Sequence, residues 1–164
     1  MEYGSRPIPA LAIPLEARPA VRVAGRFPHE DRGFRHRYGQ GRFHALHLYE
    51  YEGRIRIDGR TYPLRGGDVT VTRAGSEAAF DLPSPGYLYC IHFFLEPAGE
   101  GGAALPIWLR LGPWRDAAMA RFATVANHHA VESDPVAAAA ARAALAELLL
   151  WLAVRAVAGP GAGS

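Results

Sequence analysis

The chemistry open to this chain rests on a few side chains in its central third. These are His44, His47 and His92, Tyr49 and Tyr51, and the single cysteine, Cys90. Alternate side chains of a strand share a face, so the two-residue gap between His44 and His47 sends their imidazoles to opposite sides. A metal ion needs ligands that converge on one point, which this pair does not supply, and no metal or cofactor is expected. One cysteine can form neither an intrachain disulfide nor a zinc-type cluster. With Leu88 and Ile91 nearby, Cys90 reads as a buried, unreactive thiol. His47, Tyr49 and Tyr51 recur at every second position, share one face, and are candidates to line a pocket. His92 reads as a histidine bonded within the β structure. His128 and His129 fall at a helix end, where a cationic ring suits the dipole.

Positioning these groups falls to short β-like runs between Phe43 and Phe94, separated by turn residues at sandwich or barrel spacing. Asp58-Gly59 marks a hairpin, because both residues tolerate the positive φ of a type I′ turn. Alternation predicts Ile55, Ile57, Val69 and Val71 on buried faces, with Arg54, Arg56, Thr70 and Thr72 turned away. Before these runs, Pro7, Pro9, Pro14 and Pro19 exclude a helix or a central strand, so residues 1–20 are expected to form an extended arm. After them, Trp114, Ala118, Phe122 and Val125 recur at helical spacing. Asp134-Pro135 then opens a second helix to about Val157, with Asp134 as N-cap. Leu145, Leu148, Leu149 and Leu152 make that helix apolar, one face for the β structure and another for a partner chain. The expected layout is therefore an arm (1–20), a barrel (21–100), a helical dimerisation segment (101–158) and a tail or linker (159–164).

A chain of 164 residues, about half of them apolar, can bury one ordinary core. Its 18 basic residues are all arginine, they are scattered, and net charge is only +2, so no nucleic-acid stripe is evident. The second helix carries only Arg142 and Arg155, too few for a DNA-reading helix. No basic run followed by an apolar core opens the chain, and no uninterrupted apolar stretch reaches the roughly 20 residues of a membrane span. A soluble cytoplasmic protein without membrane contact is expected.

The stretch HLYEYEGRIRIDGRTYPLRGGDVTVTRAGSEAAF, closed by YLYCIHFFL, resembles the N-terminal arabinose-binding and dimerisation domain of AraC-type transcription regulators. The resemblance covers about 55 residues closely; the rest matches only in the order arm, barrel, linker, two helices. It implies an all-β cupin-like barrel (double-stranded β-helix, or jelly roll) followed by two C-terminal α-helices. It also implies a small-molecule effector in the barrel, a homodimer formed through Leu145, Leu148, Leu149 and Leu152, and an arm able to act as a lid. DNA contact would come only from a domain absent from this chain. Candidate ligand-binding residues are His47, Tyr49, Tyr51, Phe80, Leu88, Cys90, His92 and Arg37. Leu88 and Cys90 replace a His and a Trp of the sugar binder, which points to a less polar effector and to no catalysis. The alternative is a stand-alone metal-dependent cupin enzyme. In those proteins two histidines one residue apart, a glutamate and a later histidine hold the metal, and here Ala78 occupies the position of the later histidine.

Overall fold

A computed structural model describes residues 6–97 and 99–158. The tail expected at 159–164 lies outside them. Eleven strands precede the helices: β1 (Ala10–Ile13), β2 (Ala20–His29), β3 (Arg37–Gly39), β4 (His44–Tyr49), β5 (Gly53–Ile57), β6 (Arg60–Leu64), β7 (Asp68–Thr72), β8 (Glu77–Asp81), β9 (Gly86–Phe94), β10 (Ala103–Pro106) and β11 (Trp108–Arg110). A 3-10 turn (Gly112–Trp114) leads into α1 (Arg115–His129) and α2 (Pro135–Ala158).

Three antiparallel sheets result, ordered β11-β7-β4-β9-β2, β3-β8-β5-β6 and the ribbon β1-β10. Without β11, the first two orders are β2-β9-β4-β7 and β3-β8-β5-β6, the interleaved Greek keys of an eight-stranded jelly roll. Strand pairing among the described residues groups these eight strands into two antiparallel sheets, an arrangement compatible with the expected barrel. The hairpin joining β5 and β6 follows its turn chemistry. Asp58 (φ 48°) and Gly59 (φ 83°) both take positive φ. The Asp58 carboxylate then accepts bonds from Ser76 Oγ (2.7 Å) and the Glu77 N–H (2.9 Å), tying the turn to β8.

Alternation accounts for six of the eight positions it addresses and misleads on two. Ile55, Ile57, Val69 and Val71 are buried as expected, and Arg54 and Arg56 are exposed. Thr70 and Thr72, expected to point outward, are also fully buried. The five-stranded sheet is covered on both faces: one looks across to the second sheet, and α1 packs on the other over β2 and β9. Tyr89 meets Phe122 there, with ring centroids 6.1 Å apart. Register puts His47 beside Thr70 and Cys90, so the polar threonines share the inner face with them.

The arm and the helical segment depart from their expected boundaries. Residues 10–13 form β1, whose partner is β10, and Ile13 is fully buried. Residues 101–158 therefore open with two strands before any helix. The prolines do exclude a strand within a large sheet, but a two-stranded ribbon leaves one edge of each strand free of the ladder. Asp68, fully buried, anchors β11: it accepts two bonds from Arg110 (2.9 Å each) and one from the Arg65 N–H (3.0 Å).

Asp134 caps α2 as expected, its Oδ1 accepting the Val136 N–H at 2.8 Å. The two helices run antiparallel, since Arg121 pairs with Glu147 (2.9 Å) while Trp114 meets Trp151 edge to face (6.4 Å). Leu145, Leu148, Leu149 and Leu152 are all fully buried within the single chain. Their assignment to the dimer contact is thereby corrected: α1 and β10 already cover them, and the residues that α2 turns outward include Val136, Val154 and Val157. By length and composition alone, α2 is apolar enough to cross a membrane, with mean hydropathy 1.7, although Arg142 and Glu147 interrupt its apolar run. The buried leucines account for part of that apolarity.

Candidate functional site

Between the two large sheets lies a cavity of about 210 Å³. Its inner wall is built by three adjacent strands: His47 on β4, Thr72 on β7, and Leu88, Cys90 and His92 on β9. Ala78 and Phe80 of β8 face them, and Phe27, Pro28, His29, Tyr38 and Gln40 form the rim. Phe27, 41% exposed, carries the rim to the surface. Larger grooves of about 580 and 650 Å³ lie elsewhere, beside Arg54 and Arg65 and between residues 16–18 and α2, and neither brings aromatic and hydrogen-bonding groups together as this cavity does.

Five of the eight candidate ligand residues line this cavity: His47, Phe80, Leu88, Cys90 and His92. Tyr49 and Tyr51 share the face of His47 but stand behind the lining. The Tyr49 hydroxyl is 2.6 Å from Thr70 Oγ1 and 3.5 Å from His47 Nδ1. Tyr51 packs on the backbone where β9 begins, and a Cβ at position 86 would fall 2.6 Å from its Cδ2, so Gly86 makes room for the ring. Its hydroxyl meets His29 Nδ1 at 2.5 Å. Arg37 does not belong to the cavity: its side chain is 75% exposed and faces Glu77 at 3.9 Å. It sits on β3 with its side chain on the solvent side.

Residues on β2 and β3 were missed. His29 bridges Tyr51 and Asp31, with Nε2 3.0 Å from Asp31 Oδ2, and Tyr38 donates to the same oxygen at 2.6 Å. The period-two pattern of Val21 and Val23 was the available signal for β2. Pro28 is compatible with a strand there because β2 lies at the sheet edge.

Burial sets the electrostatics. His47 is pushed down to about 3 by burial, helped by His92 and His29. His92 is also lowered, by burial and then Arg22. The Cys90 thiol is pushed up to about 12 by burial. Burial raises Tyr49 and Tyr51 as well, and raises Tyr38 together with its bond to Asp31. For Asp31 burial works the other way, but the bonds from Tyr38 and His29 outweigh it and hold the carboxyl below its ordinary value. At neutral pH the inner wall thus offers neutral imidazoles, a thiol and a hydroxyl. Thr72 Oγ1 is fully buried and has no hydrogen-bond partner among the described residues.

His44 and His47 do lie on opposite faces, and the His44 ring is committed to structure, its Nδ1 accepting the Ala74 N–H at 2.8 Å. Convergence comes instead from the neighbouring strand. Cys90 is the register partner of His47, His92 follows two residues later on the same face, and ligand atoms of the three lie within 4.8 Å of one another. Spacing along one strand could not reveal a cross-strand trio.

No family model matches the chain, and no curated protein matches it in sequence. Among solved structures it is similar to a predicted oxalate decarboxylase from Thermotoga maritima, at 13% identity and TM-score 0.40, over 54% of this chain and 94% of that one. It is also similar to a cupin protein from Bacteroides fragilis, at 19% identity and TM-score 0.35, over 42% of this chain and 62% of that one.

Proposed function

We propose that this chain is a non-catalytic, effector-sensing and dimerisation unit of the AraC type, taking a compact, largely apolar molecule into the cavity between its sheets. The observation that carries the reading is the cavity itself, about 210 Å³ between the sheets and lined by His47, Phe80, Leu88, Cys90 and His92 together with Thr72 of β7. The same strand supports transmission to the rest of the chain. Val71 donates to Ile107 O (2.9 Å), Arg73 donates to Ala10 O in β1 (3.1 Å), and α2 packs on β10. Ligand held at Thr72 therefore bears on the strand that anchors the arm ribbon, and through β10 on α2. In this reading a second copy docks on the outward face of α2, and DNA contact is made by a separate unit.

A thermal-shift screen of compact organic molecules tests this reading, with Ala78→Trp as the control that fills the cavity. A ligand at about 100 times its Kd is expected to stabilise the wild type by about 2.7 kcal/mol and the filled variant not at all. Equal stabilisation of both proteins would place binding elsewhere and overturn the reading. The second reading, a metal-dependent cupin enzyme, draws on the convergence of His47, Cys90 and His92. It predicts that metal-loaded protein converts the bound compound to a product, whereas the sensing reading predicts its recovery unchanged.

A further inference from the structure

We propose that His47, Cys90 and His92 form a thiolate and bis-imidazole site for a late first-row divalent cation such as zinc, with its remaining coordination position facing the cavity. This deepens the ligand-binding reading and rests on it for that last position alone, because the ion would anchor a donor atom of the effector.

The three ligand atoms lie within 4.8 Å of one another, and a tetrahedral zinc site with Zn–N near 2.0 Å and Zn–S near 2.3 Å needs separations of about 3.3–3.6 Å. Small side-chain rotations close that difference. Backbone register holds the three side chains together: His47 pairs with Cys90 across adjacent strands, and Cys90 and His92 are alternate residues on one inner face. Imidazole and thiolate are the donor types that late first-row ions prefer over magnesium or calcium. Supporting groups are also present. Tyr49, beside His47 Nδ1 at 3.5 Å and bonded to Thr70 Oγ1 at 2.6 Å, can accept an Nδ1–H bond and so leave Nε2 free for a metal. Binding is balanced by release of the Cys90 thiol proton to solvent as the metal–sulfur bond forms.

The test is titration of the metal-free full chain with cobalt(II), followed by displacement with zinc. One equivalent of cobalt is expected to give a near-ultraviolet thiolate-to-metal band that zinc abolishes. Cys90→Ser should remove the band, and Cys90→Ser and His92→Ala should each weaken binding roughly 100-fold, while His128→Asn leaves it unchanged. Thermal melts of the apo-variants establish that they fold, and His92→Ala, at a half-buried position, gives a second test should Cys90→Ser not fold. Cobalt bound without the band, or bound equally by Cys90→Ser, overturns the site. If metal binding fails while organic compounds still stabilise the wild type and not Ala78→Trp, the metal site falls and the sensing reading survives.

Discussion

Truncating Leu149 to alanine is expected to cost about 2–5 kcal/mol of folding stability, with the same loss at every protein concentration. Leu149 is fully buried within one chain, in a cluster with Leu145, Leu148, Leu152 and Phe122. Its loss removes transfer free energy and leaves a cavity that the antiparallel α1–α2 pair can only partly close. A dimer-interface leucine would behave differently: unfolding coupled to dissociation makes Tm rise with protein concentration, and a variant that breaks the interface loses that dependence. The counterpart is Val154→Glu, at a position 53% exposed on α2. If a second copy docks on that face, Val154→Glu yields a monomer by sedimentation while leaving protomer stability within about 0.5 kcal/mol. Denaturant titrations of both variants at two protein concentrations separate core from interface.

Acidification is expected to destabilise the metal-free protein well before its carboxylates protonate. The sign follows from His47, whose pKa falls from an ordinary 6.5 to about 3 on burial. Above about pH 7 neither folded nor unfolded chain holds the proton, and the stability associated with the neutral imidazole is complete. Below about 6.5 the unfolded chain takes up a proton that the folded one refuses, so stability falls by up to about 1.4 kcal/mol per pH unit until the folded pKa is reached. By pH 5 this amounts to about 2 kcal/mol from His47 alone. His44 and His92, also lowered by burial, act in the same direction. Urea midpoints between about pH 7 and pH 5 should decline in the wild type and decline less in His47→Phe. A flat profile across that window would contradict a neutral, desolvated His47.

What the residues revealed in advance was local. Asp58-Gly59 carried its own turn geometry, and Asp134-Pro135 carried the start of α2, because positive φ and N-capping are decided within a few residues. Alternation located the strands of the second sheet, whose outer face meets water at Arg54 and Arg56. It failed on β7, because a sheet covered on both sides has no solvent face to which Thr70 and Thr72 could turn. Partners distant in sequence were also hidden. Nothing in Ala10–Ile13 indicates that Ala103–Pro106 will pair with it, and nothing in the spacing of His44 and His47 indicates that β9 will set Cys90 beside His47. The leucines of α2 were correctly read as apolar and wrongly divided between core and partner, because a helix apolar on most sides does not declare which face its own chain will cover.

In the sensing reading, ligand in the inter-sheet cavity acts through β7 on the arm ribbon and α2. Hydrogen–deuterium exchange, with and without the compound that most raises Tm, tests it most directly. Slowed exchange is expected in β4, β7 and β9 around His47, Thr72 and Cys90, accompanied by a change in Ala10–Ile13 and in α2. Protection confined to the groove between residues 16–18 and α2, with β4, β7 and β9 unaltered, would contradict it.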